Sequence, residues 1–186
     1  LGSLKKKSRV LIIGGGDGLT LREVLKYKEV SNIVLVELDS VVVSLAKENP
    51  YMRFLNSEAF LDNRLEIIHR DGFQYLREDI GLFDVIIFDL PDPREENLSK
   101  LYSLEGYRLA DRRLTTDGAL VTQATSPYFA PNAYWCIGQT IQAAGLEILP
   151  YHVNIPSFGE WGFHIGFERE LKKRNFNIPS DLKYLD

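Results

Sequence analysis

Val10-Leu11-Ile12-Ile13-Gly14-Gly15-Gly16-Asp17-Gly18-Leu19 decides the fold of this chain. Four apolar residues in a row read as a strand covered on both faces, the kind found in parallel sheets. The glycines that follow let the backbone turn sharply and approach a ligand with no Cβ in the way. A helix is expected over 19–27, so its first amides would point into the space beyond the turn. A glycine-rich strand-turn-helix is shared by many nucleotide-binding folds and is a weak signal by itself. Asp17 sharpens it, because a carboxylate in the middle of the turn suits a cationic ligand and not a phosphate.

Outward from this turn the chain alternates strands and helices. Strands are expected over 32–38, 65–69, 83–88 and 118–123, and two closing strands over 146–154 and 162–168. Helices are expected from Ser40, as the cap, to Asn49 before Pro50, from Asp71-Gly72 to Arg77, over 103–114, and over 132–144, closed by Gly145. A long polar loop is expected over 90–100. This rhythm predicts an α/β fold of right-handed βαβ units: a Rossmann-like, seven-stranded, methyltransferase-type sheet, mostly parallel with helices on both faces. Residues 1–169 read as one catalytic domain and 170–186 as a charged tail.

Composition limits the function. The chain has 186 residues, 45% of them hydrophobic, and a formal net charge of −4, which argues against a nucleic-acid partner and accepts a cationic small molecule. The single Cys136 excludes an internal disulfide, and His69, His152 and His164 lack metal-ligand spacing, so no metal site is expected. No stretch approaches the roughly 20 apolar residues that span a bilayer. The chain opens with Leu1, and it reads as a cut piece of a longer protein.

Acidic residues follow the ends of four expected strands: Asp17, Glu37, Asp71 and the pair Asp89/Asp92. In an open α/β sheet, ligands sit beyond the carboxyl ends of the strands. Each acid alone reads equally as a turn or cap residue, Asp71 above all. Together they read as a site for a nucleoside plus a cation. Glu37 lies about 20 residues after the glycine turn, the offset at which such folds grip two ribose hydroxyls. Asp71-Gly72 suits the adenine. Asp89-Leu90-Pro91-Asp92-Pro93 is stiffened by two prolines and suits an ammonium contact with a proton acceptor beside it. Trp161, Phe158 and Tyr102 are candidates to face a cation through their rings, although buried aromatics are more often plain core.

Gly14-Gly15-Gly16-Asp17-Gly18, Val36-Glu37-Leu38-Asp39, Arg70-Asp71-Gly72 and Asp89-Leu90-Pro91-Asp92-Pro93, as an ordered set, resemble the spermidine synthase family of polyamine aminopropyltransferases. Leu101-Tyr102-Ser103 with Tyr107, Thr125-Ser126-Pro127 and Pro150-Tyr151-His152-Val153 fit too. Ile155-Pro156-Ser157-Phe158-Gly159-Glu160-Trp161-Gly162-Phe163 is similar to the bacterial subgroup fused to an N-terminal membrane domain. The resemblance implies transfer of an aminopropyl group from decarboxylated S-adenosylmethionine, a co-substrate, to an acceptor such as putrescine, giving spermidine and methylthioadenosine. It implies that Gly14, Gly16, Asp17, Glu37, Asp71 and Gly72 hold the co-substrate, with Asp17 on the aminopropyl ammonium. Asp89 would accept the proton, and Asp89, Asp92, Gln123 and Trp161 would line the amine site. It also implies a polyamine partner, a homodimer, and a cytoplasmic domain whose full-length protein is anchored in the bacterial inner membrane.

Four features depart from the family pattern, one being the loop Arg94-Glu95-Glu96-Asn97, which lacks the usual glycine-rich form. The small N-terminal β-domain is missing, Leu90-Pro91 replaces small hydroxyl residues, and Phe158 and Trp161 stand where a tyrosine is common. Without that β-domain, the chain alone is expected to fold and bind methylthioadenosine with little transfer activity. Two other classes stay open. An S-adenosylmethionine methyltransferase would prefer the intact co-substrate, and a non-catalytic nucleoside-binding domain would bind without turnover.

Overall fold

The computed structural model describes residues 8–92, 96–157 and 159–168. Within them lies a seven-stranded sheet of order β3-β2-β1-β4-β5-β7-β6. Its strands are β1 (Ser8–Gly14), β2 (Val30–Val36), β3 (Leu65–Ile68), β4 (Phe83–Asp89), β5 (Leu114–Gln123), β6 (Glu147–Ile155) and β7 (Gly159–Phe167). The pairs among β1 to β5 are parallel, and β7 runs antiparallel to both β5 and β6. The mixed, mostly parallel sheet is the one the sequence predicts.

Strand periodicity builds two cores from one sheet. Leu11 and Ile13 of β1, Val34 and Val36 of β2, and Ile86 and Phe88 of β4 face one layer; Val10, Ile12, Ile33, Leu35 and Val85 face the other. The first layer is closed by α4 (Gly72–Arg77), α6 (Leu104–Asp111) and α7 (Pro131–Ala143), through Leu76, Tyr107 and Ile141. The second is closed by Leu21 and Val24 of α1 (Leu19–Leu25) and by Ala59 of a 3-10 turn, Ala59–Leu61. Each fully buried Leu, Ile or Val contributes roughly 1.5–3 kcal/mol, so the central strands are anchored from both sides. Their carboxyl ends are therefore rigid places to mount a site.

The local differences from the sequence reading have physical causes. The helix after β2, α2 (Ser40–Glu48), is capped by Asp39, whose side chain accepts from the Val41 amide at 2.8 Å, and not by Ser40. Asp and Ser cap equally well, and the extended backbone of Asp39 decides between them. Pro50 starts a further helix, α3 (Pro50–Leu55), where a break was expected, because proline fits the first helical position and Asn49 caps it. The expected loop over 90–100 contains α5 (Glu96–Leu101). β5 begins at Leu114, which the sequence reading had placed in the preceding helix. The charged tail lies outside the described residues, as does Phe158.

Gly72 locks α4 to β1. A Cβ there would stand 2.4 Å from Ile13 Cγ2 in the core. Gly72→Ala is therefore expected to cost about 1–3 kcal/mol, the usual range for overpacking, read as a lower denaturation midpoint with an unchanged slope.

Candidate active site

β1 and β4 are neighbours, while the chain goes from β1 to β2 on the other side. This reversal of strand order opens a crevice at the carboxyl ends of the strands. A cleft of about 1020 Å³ occupies it, large enough for a nucleoside with an attached tail. Gly14, Gly16 and Asp17 line it from the β1 turn, and Glu37, Asp71 and Gly72 from the ends of β2 and β3. Asp89, Asp92, Gln123 and Trp161 close the other side. These ten residues expected from the sequence are brought to this one cleft, Tyr102 does not line it, and Phe158 lies outside the described residues.

The glycines are small because carboxylates crowd them. Gly15 has φ +67°, and a Cβ on it would lie 2.8 Å from Asp89 Oδ2. On Gly16 it would lie 2.9 Å from Glu37 Oε2. The turn is also tied down: the Gly15 amide donates to Asp89 O at 3.0 Å, and the Gly16 amide to Glu37 Oε2 at 3.2 Å. Glu37 accepts a second bond from the Asp39 amide at 3.0 Å through Oε1. Its carboxylate is thus oriented before any ligand arrives.

Asp17 Oδ1 accepts from the Leu19 amide at 2.9 Å, at the start of α1. Behind the turn, the fully buried Asn56 donates through Nδ2 to Asp17 O at 3.2 Å and to Ala46 O at 3.0 Å. Asn56 carried no signal in the sequence, because its partners lie 39 and 10 residues away. Asp71 is the N-cap of α4, its Oδ1 accepting from the Gln74 amide at 2.8 Å. It is both a cap and a wall of the cleft.

Asp89 is the group most altered by its surroundings. Burial pushes its carboxyl above the usual aspartate range; a hydrogen bond with Thr20 opposes this, and the negative charges of Asp17 and Glu37 add to the rise. A carboxylate raised in this way is a better proton acceptor than an exposed one.

The amine side is organised by Gln123. Its Nε2 donates to Leu90 O at 2.6 Å and lies 3.2 Å from the Tyr102 hydroxyl and 3.4 Å from Asp92 Oδ1. Trp161 Nε1 donates to Gln123 Oε1 at 2.8 Å. Contrary to the expectation from the sequence, Tyr102 does not face the cleft with its ring. It is buried, its hydroxyl donates to Pro91 O at 3.3 Å, and burial pushes its pKa up to about 12. Arg70, which also lines the cleft, is turned to Glu78 through two guanidinium contacts, one of 2.8 Å. Among the described residues no cluster of histidine, cysteine and acidic side chains has the form of a metal site.

The spermine/spermidine synthase domain description matches residues 1–178. The chain belongs to this family. It is 42% identical over 185 residues to a polyamine aminopropyltransferase of Oceanobacillus iheyensis, covering 100% of this chain and 36% of that protein. It is 50% identical over 158 residues to polyamine aminopropyltransferase 2 of Bacillus anthracis, covering 84% of this chain and 44% of that one. Among solved structures, a spermidine synthase in complex with the transition state analogue AdoDATO superposes with a TM-score of 0.81 at 31% identity, over 87% of this chain and 55% of that chain. The Thermotoga maritima spermidine synthase gives a TM-score of 0.78 at 31% identity, over 88% of this chain and 55% of its own. The spermidine synthase fold is therefore shared over nearly all of this chain, which spans less than half the length of these two curated relatives.

Proposed function

We propose that this chain is a catalytic domain that transfers an aminopropyl group from decarboxylated S-adenosylmethionine to a polyamine acceptor such as putrescine. The observation that carries the reading is the acid-lined cleft: carboxylates from four strand ends meet there, two of them packed against the glycine turn. Family membership supports the same reaction. Glu37 takes the ribose hydroxyls, Asp71 and Gly72 take the adenine, and Asp17 takes the aminopropyl ammonium. Gly14 and Gly16 let the co-substrate approach the backbone.

In the reaction the acceptor nitrogen attacks the carbon next to the sulfonium. The carbon–sulfur bond breaks and its electron pair goes to sulfur, leaving neutral methylthioadenosine. The nitrogen loses its proton to Asp89, whose raised proton affinity suits the role. Asp92, Gln123 and Trp161 place the amine. Holding nitrogen and carbon in line can supply roughly 7–11 kcal/mol of the barrier, and a sulfonium leaving group needs no metal.

The reading extends to context. The likeness of residues 155–163 to the membrane-fused subgroup supports a cytoplasmic domain joined to an inner-membrane anchor, and pairing of two copies belongs to the same family-based reading. Among the described residues no helix is long and apolar enough to cross a membrane. The reaction is tested by incubating the full-length protein with decarboxylated S-adenosylmethionine and putrescine and weighing the products. Spermidine and methylthioadenosine in equal amounts are expected. A methylated amine formed from intact S-adenosylmethionine, or binding with no transfer, would overturn the reading.

A further inference from the structure

The side-chain amide of Gln123 is held from both ends, and its direction is not a free choice. An amide offers an oxygen that only accepts and a nitrogen that only donates. An indole N–H only donates, so the atom 2.8 Å from Trp161 Nε1 must be the oxygen, Oε1. The nitrogen then faces Leu90 O, which only accepts, with the Tyr102 hydroxyl and Asp92 Oδ1 beyond it. In the opposite direction, two oxygens would face each other at Leu90 and two N–H groups at Trp161. In a side chain only 8% exposed, water has little room to repair either clash.

Sheet register makes this arrangement. Gln123 of β5 pairs with Phe163 of β7, and Trp161 lies two residues before Phe163 on the same face. The indole therefore reaches Gln123 along the diagonal of an antiparallel pair. Gln123 in turn holds the segment 90–92, which follows Asp89 directly and carries Asp92. The chain of contacts runs from Trp161 through Gln123 to Asp92 and to the carbonyl of Leu90, the residue after Asp89. It does not reach Glu37 or Asp71, which stand at the ends of β2 and β3.

We infer that Trp161 is a positioning residue: its indole N–H fixes the direction of the Gln123 amide and thereby the place of Asp92 and its segment for the acceptor amine. This rests on the aminopropyl-transfer reading. Removing the N–H frees Oε1 and lets the amide turn, so the loss falls on use of the amine and not on the nucleoside.

The test is a double-mutant cycle in the full-length protein with Trp161→Phe, Gln123→Met and both together, since a cycle separates coupled from independent effects. Each single variant is expected to raise the putrescine KM roughly tenfold, the scale of one lost buried hydrogen bond, with methylthioadenosine affinity unchanged. The double variant is expected to be no worse than Gln123→Met. Losses that multiply, an unchanged Trp161→Phe variant, or an equal fall in methylthioadenosine affinity would overturn the inference. A second readout needs no turnover. In the unsubstituted protein the Trp161 indole proton is expected to exchange slowly by NMR beside that of the half-exposed Trp135, and to lose this protection in Gln123→Met. A freely exchanging Trp161 proton would overturn the lock itself. A protein that shows the protected proton but makes no spermidine would overturn the proposed reaction instead.

Discussion

Asp89→Asn is expected to lower aminopropyl transfer by about 10²–10⁴-fold, the range for a positioned base, while raising the stability of the ligand-free protein at neutral pH. The first effect follows from its place at the end of β4, against the glycine turn. The second follows from its raised pKa, caused first by burial and then by Asp17 and Glu37. Between the unfolded pKa near 4 and the raised folded value, the folded state binds more protons than the unfolded one. This contribution to stability is complete below the unfolded pKa and is lost as pH rises through the folded pKa. Above the unfolded pKa the buried Asp89 carboxyl is thus a net cost that asparagine removes, with a side chain of nearly the same shape. Thermal unfolding across a pH series and single-turnover kinetics read the two effects separately. A variant that keeps its turnover, or that loses methylthioadenosine affinity as steeply as turnover, would assign the proton to another group.

Asp17→Asn is expected to weaken decarboxylated S-adenosylmethionine by about 10–100-fold and methylthioadenosine by less than about twofold. The asparagine oxygen can still accept from the Leu19 amide, so the turn keeps its shape. Only the charge is lost. A pair of unit charges 4 Å apart is worth about 4 kcal/mol at an effective dielectric of 20, and solvent and residual contacts reduce that to about 1.4–2.8 kcal/mol. Methylthioadenosine lacks the ammonium and should not register the change. Equal losses in a titration of both ligands would show that Asp17 holds the turn and not the charge.

Much of the fold was legible because its signals are local. The unbroken apolar runs at Val10–Ile13 and in β4 could only be strands buried on both faces, and the helices between them set a parallel sheet. Carboxylates at successive strand ends were readable for the same reason: strand ends in such a sheet share one edge. What was not legible depends on contacts between distant segments. Asn56 braces the glycine turn from 39 residues away. Tyr102 looked like a cation-facing ring, but its hydroxyl serves the backbone of Pro91. The amide of Gln123 gets its direction from a tryptophan 38 residues on. The caps were the ambiguous middle case, since Asp39 and Ser40 are both good caps and only backbone geometry chooses between them.

The central claim is that this cleft selects a nucleoside with a cationic, carboxylate-free tail. Calorimetric titration of the full-length protein with decarboxylated and intact S-adenosylmethionine, at matched salt, tests it most directly. The account predicts that the decarboxylated form binds at least about tenfold more tightly, because the extra α-carboxylate of the intact form meets Asp17 and Asp89. Tighter binding of intact S-adenosylmethionine would contradict the account and turn the same sheet into the site of a methyltransferase.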